Sequence, residues 1–325
     1  MPLSATLTHD AMFYDSDEEF VRALVPFARE GLERNEAVAA AVTRTNIALL
    51  QEALGTHASA VSFIDRDGWY RRPATTVAGW QRLLGDATER GHRRMRLIGE
   101  VGFGTDDHHP TWTRYEAALN DVFAHAPAWI VCPYDTRALP APVLADARRT
   151  HPATFHPQRR HNDGYLSPEQ FLQAVPEPMP PTSGRPAITL DLGDGVAPAR
   201  RAVSAIIATR GWSGLDRADD LILALSEIMT NSILHGKGRR ELRVWTHSGT
   251  VTCEVSDGGD GPADPMISYR PPTTDAIGGR GLWIAQQLCD ALAIARRGGT
   301  TVVRFAVTLL KDQPRHLLQH ASPTG

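Results

Sequence analysis

Glu227, Asn231 and His235 stand four residues apart in LSEIMTNSILHG, residues 225 to 236. Residues at that spacing stack on one helix face, one turn above another. A carboxylate held there can take the proton of an attacking hydroxyl, as positioned carboxylates do in phosphoryl transfer. The amide oxygen of Asn231, one turn on, is a hard ligand suited to Mg²⁺ shared with phosphate oxygens and water. His235 precedes Gly236 and reads as a helix-end residue, where a glycine cap and a partly positive imidazole both fit. Leu225, Ile228, Met229, Ile233 and Leu234 are the expected buried side of the same helix.

Two further segments follow in order. DGGDG, residues 257 to 261, ends a strand; GGRGL, residues 278 to 282, opens a helix. Asp257 at a strand-to-glycine turn can accept a hydrogen bond from an exocyclic amine such as that of adenine. Gly259 and Gly261 let backbone approach a flat base with no Cβ in the way. Gly279 and Gly281, beside Arg280 and Leu282, fall at a helix start, where unpaired N–H groups and the helix dipole favour phosphate. Taken singly, each segment has a plainer reading as a solvated face, a loop or a helix start. Their order, spacing and strand and helix contexts together favour a site with base at one end and phosphates at the other.

The elements that must position these residues form an α+β two-layer sandwich: a strand at 187–192, helices near 196–210 and 217–235, and two strands in hairpin relation, ELRVWTHS and TVTCEVSD. A helix near 280–294 and a last strand, TTVVRFAVTLL, complete it. AVPEPMPPTSGRP, residues 174 to 186, can continue neither a helix nor a central strand and marks the seam. Upstream, EAVAAAVT, AVSFID, RMRLIGEVG and AWIVCPYD read as buried parallel strands alternating with amphipathic helices, the rhythm of an α/β domain. Its first helix opens on the capping box Ser16-Asp17-Glu18-Glu19. The expected domains are 1–172 and 187–312, joined by a linker at 173–186 and followed by a flexible tail at 313–325.

ALSEIMTNSILHG, VSDGGDG, GGRGLWIAQQLCD and the pair Gly299-Thr300 resemble the motif boxes of the GHKL (Bergerat) ATPase fold, and within it the anti-sigma-factor serine/threonine kinases. The resemblance covers about residues 187 to 311. It implies ATP with Mg²⁺ on Asn231, adenine recognition by Asp257 with help from Thr300, phosphate contacts from Gly279 and Gly281, and Glu227 as the base for a serine of an antagonist protein. Between Gly261 and Gly279 lies a short lid, 262 to 278, without a phenylalanine-bearing box, and no helical hairpin with an acceptor histidine precedes the domain. Both features speak against a sensor histidine kinase.

No lysine occurs before Lys237, so the first domain cannot use a Walker A loop. HDAMFY, EGLERNEAVAAAV, RLIGE and CPYD resemble the MEDS sensory domain, a degenerate RecA-like parallel sheet. His9, Tyr14, Arg96, Glu100, Tyr134 and Asp135 are its candidate sensory residues, expected near strand ends where ligands collect in open α/β sheets. Arg96 with Glu100 reads equally well as a structural ion pair. DDHHP, residues 106 to 110, and HPATFHPQRRH, with His151, His156 and His161, read as a solvated loop and an irregular connector rather than metal sites.

Among 325 residues 42% are apolar, 22% are charged, and the formal charge is −3, which gives no footprint for nucleic acid or an anionic membrane. Three scattered cysteines make neither a disulfide framework nor a thiolate zinc set and fit a cytoplasmic protein. The expected molecule is a regulator of transcription by partner switching, its sensory domain taking an unknown small-molecule ligand. Its ATP-binding domain would bind a sigma factor, a STAS-type antagonist, or both, and phosphorylate the antagonist. A non-catalytic ATP-dependent switch or a sensor scaffold is the alternative, and a homodimer is allowed.

Overall fold

The computed structural model describes residues 6–104, 109–156, 158–271 and 280–310. The chain divides into two compact units, Met1–Pro178 with Asp264–Ile277, and Met179–Ala263 with Gly278–Gly325. Gly279, the loop residues Asp106, Asp107 and His108, and the tail from 313 lie outside the described residues.

The N-terminal unit runs β1 (Thr8–Tyr14), α1 (Asp17–Glu33), β2 (Ala37–Val42), α2 (Arg44–Leu54), β3 (Val61–Asp65), α3 (Arg66–Trp69), α4 (Pro73–Glu89), β4 (Met95–Gly99) and α5 (His109–Val122). It continues through β5 (Ala128–Asp135), α6 (Ala141–Thr150), β6 (Ala153–His156), β7 (Gln158–His161) and α7 (Pro168–Ala174). The sheet order is β3-β2-β4-β5-β1-β6-β7, parallel throughout except for β7 on β6. Both faces are covered, which is why AVAAAV in β2 is apolar without alternation: Ala39 and Ala41 join one core with Trp80, Leu97 and Tyr115, while Val38 and Ala40 join the other with Phe20, Leu24 and Phe27. Ser16 caps α1 by accepting from Glu19 N at 3.3 Å, although Glu19 reaches Asp15 N rather than closing the box on Ser16. HPATFHPQRRH is not an irregular connector: it supplies the β6–β7 hairpin at the sheet edge. There the exposed, charged strand QRRH needs only one neighbour.

The C-terminal unit runs β8 (Ile188–Asp191), α8 (Val196–Thr209), α9 (Asp216–His235), β9 (Glu241–His247), β10 (Thr250–Asp257), α10 (Arg280–Leu288), β11 (Ala291–Arg297) and β12 (Thr300–Thr308). The five strands are antiparallel in the order β11-β12-β10-β9-β8. Leu242, Val244, Val251, Cys253, Val255, Phe305 and Val307 alternate onto one face and share a core with Leu221, Leu225, Ile228 and Met229 of α9. The helix expected to run to 294 stops at Leu288. Cys289 and Leu292 drop into the core, Asp290 accepts from Thr308 N at 2.6 Å, and β11 turns into β12 through Gly298 and Gly299 at φ +56° and +81°. A two-residue glycine turn with both φ positive matches the twist of a hairpin, so period two wins over the apparent helical run. Leu234 is 69% exposed and does not join the buried side of α9. No helix among the described residues is long and apolar enough to cross a membrane.

Candidate functional site

Helix α9 packs its apolar stripe on the sheet and turns Glu227 and Asn231, both half-buried, toward the start of α10. A Cβ on Gly281 would stand 2.8 Å from Glu227 Oε2 and 2.9 Å from Asn231 Nδ2. Only glycine therefore lets the first turn of α10 come this close to the carboxylate and the amide. The arrangement places a hard oxygen ligand, a carboxylate and the positive end of a helix around one point. Leu282 is buried beneath that turn, and Arg280 opens it on the exposed side. His235 is exposed at the far end of α9.

Asp257 ends β10, 7% exposed, and its carboxylate is fixed by two donors: Ser232 Oγ on Oδ2 and Gly259 N on Oδ1, both at 2.7 Å. A carboxylate has about four lone-pair sites, so both oxygens can still accept from an amine. Glycines make room for this knot. A Cβ on Gly236 would meet Asp257 Cγ at 2.6 Å, and one on Gly259 would meet Asp257 Oδ1 at 2.8 Å. Gly261 turns at φ +73°, and Thr301 Oγ1 donates to Gly259 O at 2.7 Å. Thr300 opens β12 opposite Arg297, so the threonine bonded to the glycine turn is its neighbour. Ser232 and Thr301 were missed in the sequence. The only signal for either was adjacency to Asn231 and Thr300. Lys237 and Arg296 pair with Asp260 at 2.9 and 2.8 Å and hold its carboxyl below the usual range, which pins the outer side of the turn.

Of the segment expected as a lid, 262 to 278, residues 264 to 271 fold with the N-terminal unit. Met266, fully buried, and Tyr269 share a small core with Ala118 and Leu172. Arg270 bonds Asp121, Glu169 Oε1 at 2.8 Å and Asp264 Oδ2 at 2.8 Å. Tyr269 OH donates to Glu177 Oε2 at 3.3 Å, and Glu177 also holds Arg114 Nε at 2.8 Å and Thr111 Oγ1 at 2.6 Å. Helices α5 and α7 thus grip this loop through both an apolar and a charged contact.

The six sensory candidates separate. Tyr14, Glu100, Tyr134 and Asp135 lie at the carboxyl edge of the parallel sheet, whereas His9 and Arg96 are the second residues of β1 and β4, toward the opposite edge. Glu100 accepts from Arg66 Nη1 at 2.7 Å, Asn46 Nδ2 at 2.8 Å and Thr43 N at 2.9 Å; Asn46 also reaches Tyr14 OH at 3.4 Å. Burial and the nearby Glu100 push the Tyr14 phenol above its ordinary range. Tyr134 is buried with no hydrogen-bond partner for its hydroxyl, its ring stacked between Phe13 and Phe103. Asp135 is tied to Arg137. A cleft of about 570 Å³ opens beside this edge, lined by Arg66, Tyr70, Phe103, His109, Leu139 and Val143. Arg96 is structural and does not pair with Glu100: fully buried, it donates to Phe27 O at 2.8 Å and Glu30 at 2.9 Å, bonds Glu36, and packs on the rings of Phe27 and Trp129.

Residues 8–152 match the family described as MEDS, the methanogen/methylotroph DcmR sensory domain, and residues 189–307 match the histidine kinase-like ATPase domain. The anti-sigma F factors of Clostridium botulinum strains Eklund 17B and Alaska E43 are each 33% identical over 107 residues, 30% of this chain and 73% of theirs. The NMR structure of the histidine kinase domain of the E. coli osmosensor EnvZ is similar at 17% identity and a TM-score of 0.24, covering 44% of this chain and 99% of that one. At that score the fold rests on the strand order and helix layer instead. The chain therefore belongs to the histidine kinase-like (GHKL) ATPases of the anti-sigma-factor type, with a MEDS domain on the amino-terminal side of its ATPase domain.

Proposed function

We propose that this protein regulates transcription by partner switching, its MEDS domain controlling an ATP-dependent protein serine/threonine kinase domain. The observation that carries the kinase reading is the approach of Gly281 to Glu227 and Asn231. ATP would supply the phosphoryl group and Mg²⁺ would neutralise its charge. Asp257, with the turn at Gly259 and Gly261, takes the adenine; Arg280, Gly281 and, by its place in the sequence, Gly279 take the phosphates; Asn231 holds the metal. Glu227 accepts the proton of a serine or threonine hydroxyl on the partner protein, which orients that hydroxyl for attack. The likeness to anti-sigma F factors supports a sigma factor as one partner and a STAS-type antagonist as the phosphorylated one.

What supports control by the first domain is the lid. Its described residues fold with α5 and α7 and are joined through Ala263 to the turn at Gly259 and Gly261, so a change of those helices is passed along the chain toward that turn. A ligand in the cleft at the carboxyl edge of the sheet is the input that fits. The deciding experiment incubates the full chain with Mg-ATP and a cognate antagonist and reads phosphoserine or phosphothreonine on the latter. Glu227→Gln is expected to keep nucleotide binding and lose about 10²- to 10⁴-fold in transfer. Unchanged transfer in that variant excludes Glu227 as the base, and nucleotide binding with no transfer by the native chain leaves a binding switch.

A further inference from the structure

Four chemistry-bearing side chains meet inside the N-terminal unit, none of them among the residues that line the cleft. His9 comes from β1, Glu116 from α5, Cys132 from β5, and His151 from the C-terminal end of α6. All four are at most 1% exposed, and one ligand atom from each lies within 4.8 Å of the others. His9 Nε2 and His151 Nε2 are each 3.2 Å from Glu116 Oε2, and His9 Nε2 is 3.3 Å from Cys132 Sγ.

The outer hydrogen bonds fix which way the imidazole lone pairs face. His151 Nδ1 is 2.9 Å from Ala147 O, a carbonyl that can only accept, so Nδ1 carries the proton. His9 Nδ1 is 3.1 Å from Asn120 Oδ1, and the Asn120 amide nitrogen is committed to Thr150 O at 2.8 Å and Ala117 O at 3.2 Å. Nδ1 of His9 is therefore the donor as well. With Nε2 unprotonated, each ring turns that lone pair on a carboxylate that is itself only an acceptor. Despite the 3.2 Å separations, neither oxygen of Glu116 nor Nε2 of His151 has hydrogen-bond geometry to any partner. Buried acceptors facing one another without a proton between them repel, and charging both rings would put two cations in full burial against one carboxylate.

We propose that His9, Glu116, Cys132 and His151 form a binding site for a single divalent d-block cation of the zinc class. Two imidazoles, a thiolate and a carboxylate make a donor set of the kind zinc takes, and four protein ligands with no open position make a closed site. Tetrahedral bonds of about 2.0–2.3 Å put ligand atoms about 3.3–3.8 Å apart, close to the separations of 3.2 and 3.3 Å found here. The bonds from Nδ1 to an amide and a backbone carbonyl are the outer contacts that orient metal-bound histidines. On binding, the Cys132 S–H gives up its proton to solvent and its sulfur bonds the metal. Without a cation, burial and the adjacent Glu116 carboxylate hold that thiol protonated.

The full chain, stripped with a chelator and dialysed, is titrated with zinc(II) and, separately, with cobalt(II). One equivalent per chain, intense visible cobalt bands of a tetrahedral site with a near-ultraviolet thiolate-to-cobalt band, and a zinc-dependent rise in Tm reversed by chelator are the expected results. Cys132→Ser should remove the thiolate band, and Asn120→Ala should weaken zinc about 10- to 100-fold. Zinc taken up equally by the native chain, Cys132→Ser and Glu116→Gln would place the metal elsewhere and overturn the proposal. So would a native chain that takes no equivalent and whose Tm ignores both zinc and chelator, a result that needs no variant to fold. None of these readouts involves nucleotide, so the outcome is separate from that of the kinase reading.

Discussion

Glu227 and Asn231 share one helix face but lose different things on substitution. Asn231→Ala removes a hard oxygen from beside Gly281, so the Mg²⁺-dependent part of ATP affinity should vanish while the helix, whose stripe Leu221, Leu225 and Ile228 is untouched, keeps its place. Calorimetry with ATP in the presence and absence of Mg²⁺ measures this directly. Gly281→Ala tests the same point from the other helix: its methyl group would overlap Glu227 Oε2, and ATP affinity should fall with secondary structure retained. Asp257 was legible as a candidate because DGGDG stands in order between LSEIMTNSILHG and GGRGL, at the end of a strand. Ser232 and Thr301 were not, because nothing in a sequence says that a helix turns Ser232 onto Asp257 or which of Thr300 and Thr301 a strand turns inward.

The hairpin of β11 and β12 and the loop at 264 to 271 are where local pattern and final structure part at the scale of elements. DALAIARR carries enough alanine and leucine to read as a continued helix, and the Gly298-Gly299 turn that decides otherwise lies beyond it. The loop carries no periodicity at all, yet Met266 and Arg270 each find partners on α5 and α7. Arg270→Ala removes a bridge among Asp121, Glu169 and Asp264, partly exposed and hence worth about 1 kcal/mol. Amide exchange across 265 to 270 should then rise about fivefold. Met266→Ala empties a fully buried position and should release the segment further, by about 2 kcal/mol or more. If exchange in both variants matches the native chain, the loop is held by something other than these contacts.

At the scale of the whole molecule, two compact units with separate cores should unfold in separable steps rather than one. Arg96→Ala is the sharpest probe of the first. It leaves Glu30 and Glu36 without their buried partner and opens space that Gly31 now cedes to the Arg96 side chain, so it should cost the N-terminal unit about 3–5 kcal/mol. Denaturant unfolding followed by tryptophan fluorescence should show the transition of the N-terminal unit move and the other stay, since Trp69, Trp80, Trp112 and Trp129 report on the first unit and Trp212, Trp245 and Trp283 on the second.

The sequence by itself determined the two-unit plan, the parallel and antiparallel character of the sheets, and the order of the nucleotide motifs. Each of these is written in short-range signals: runs of buried β residues, a proline seam, glycines before a helix. Only the tertiary structure decided that Arg96 is a core cation rather than part of a sensory site, and that residues 264 to 271 fold with the first unit. It also brought His9, Glu116, Cys132 and His151, four residues from four separate elements, together, with one ligand atom of each within 4.8 Å of the others. Contacts at sequence separations above a hundred residues are set by which strands pair and which helices cover them, and no local spacing encodes that choice.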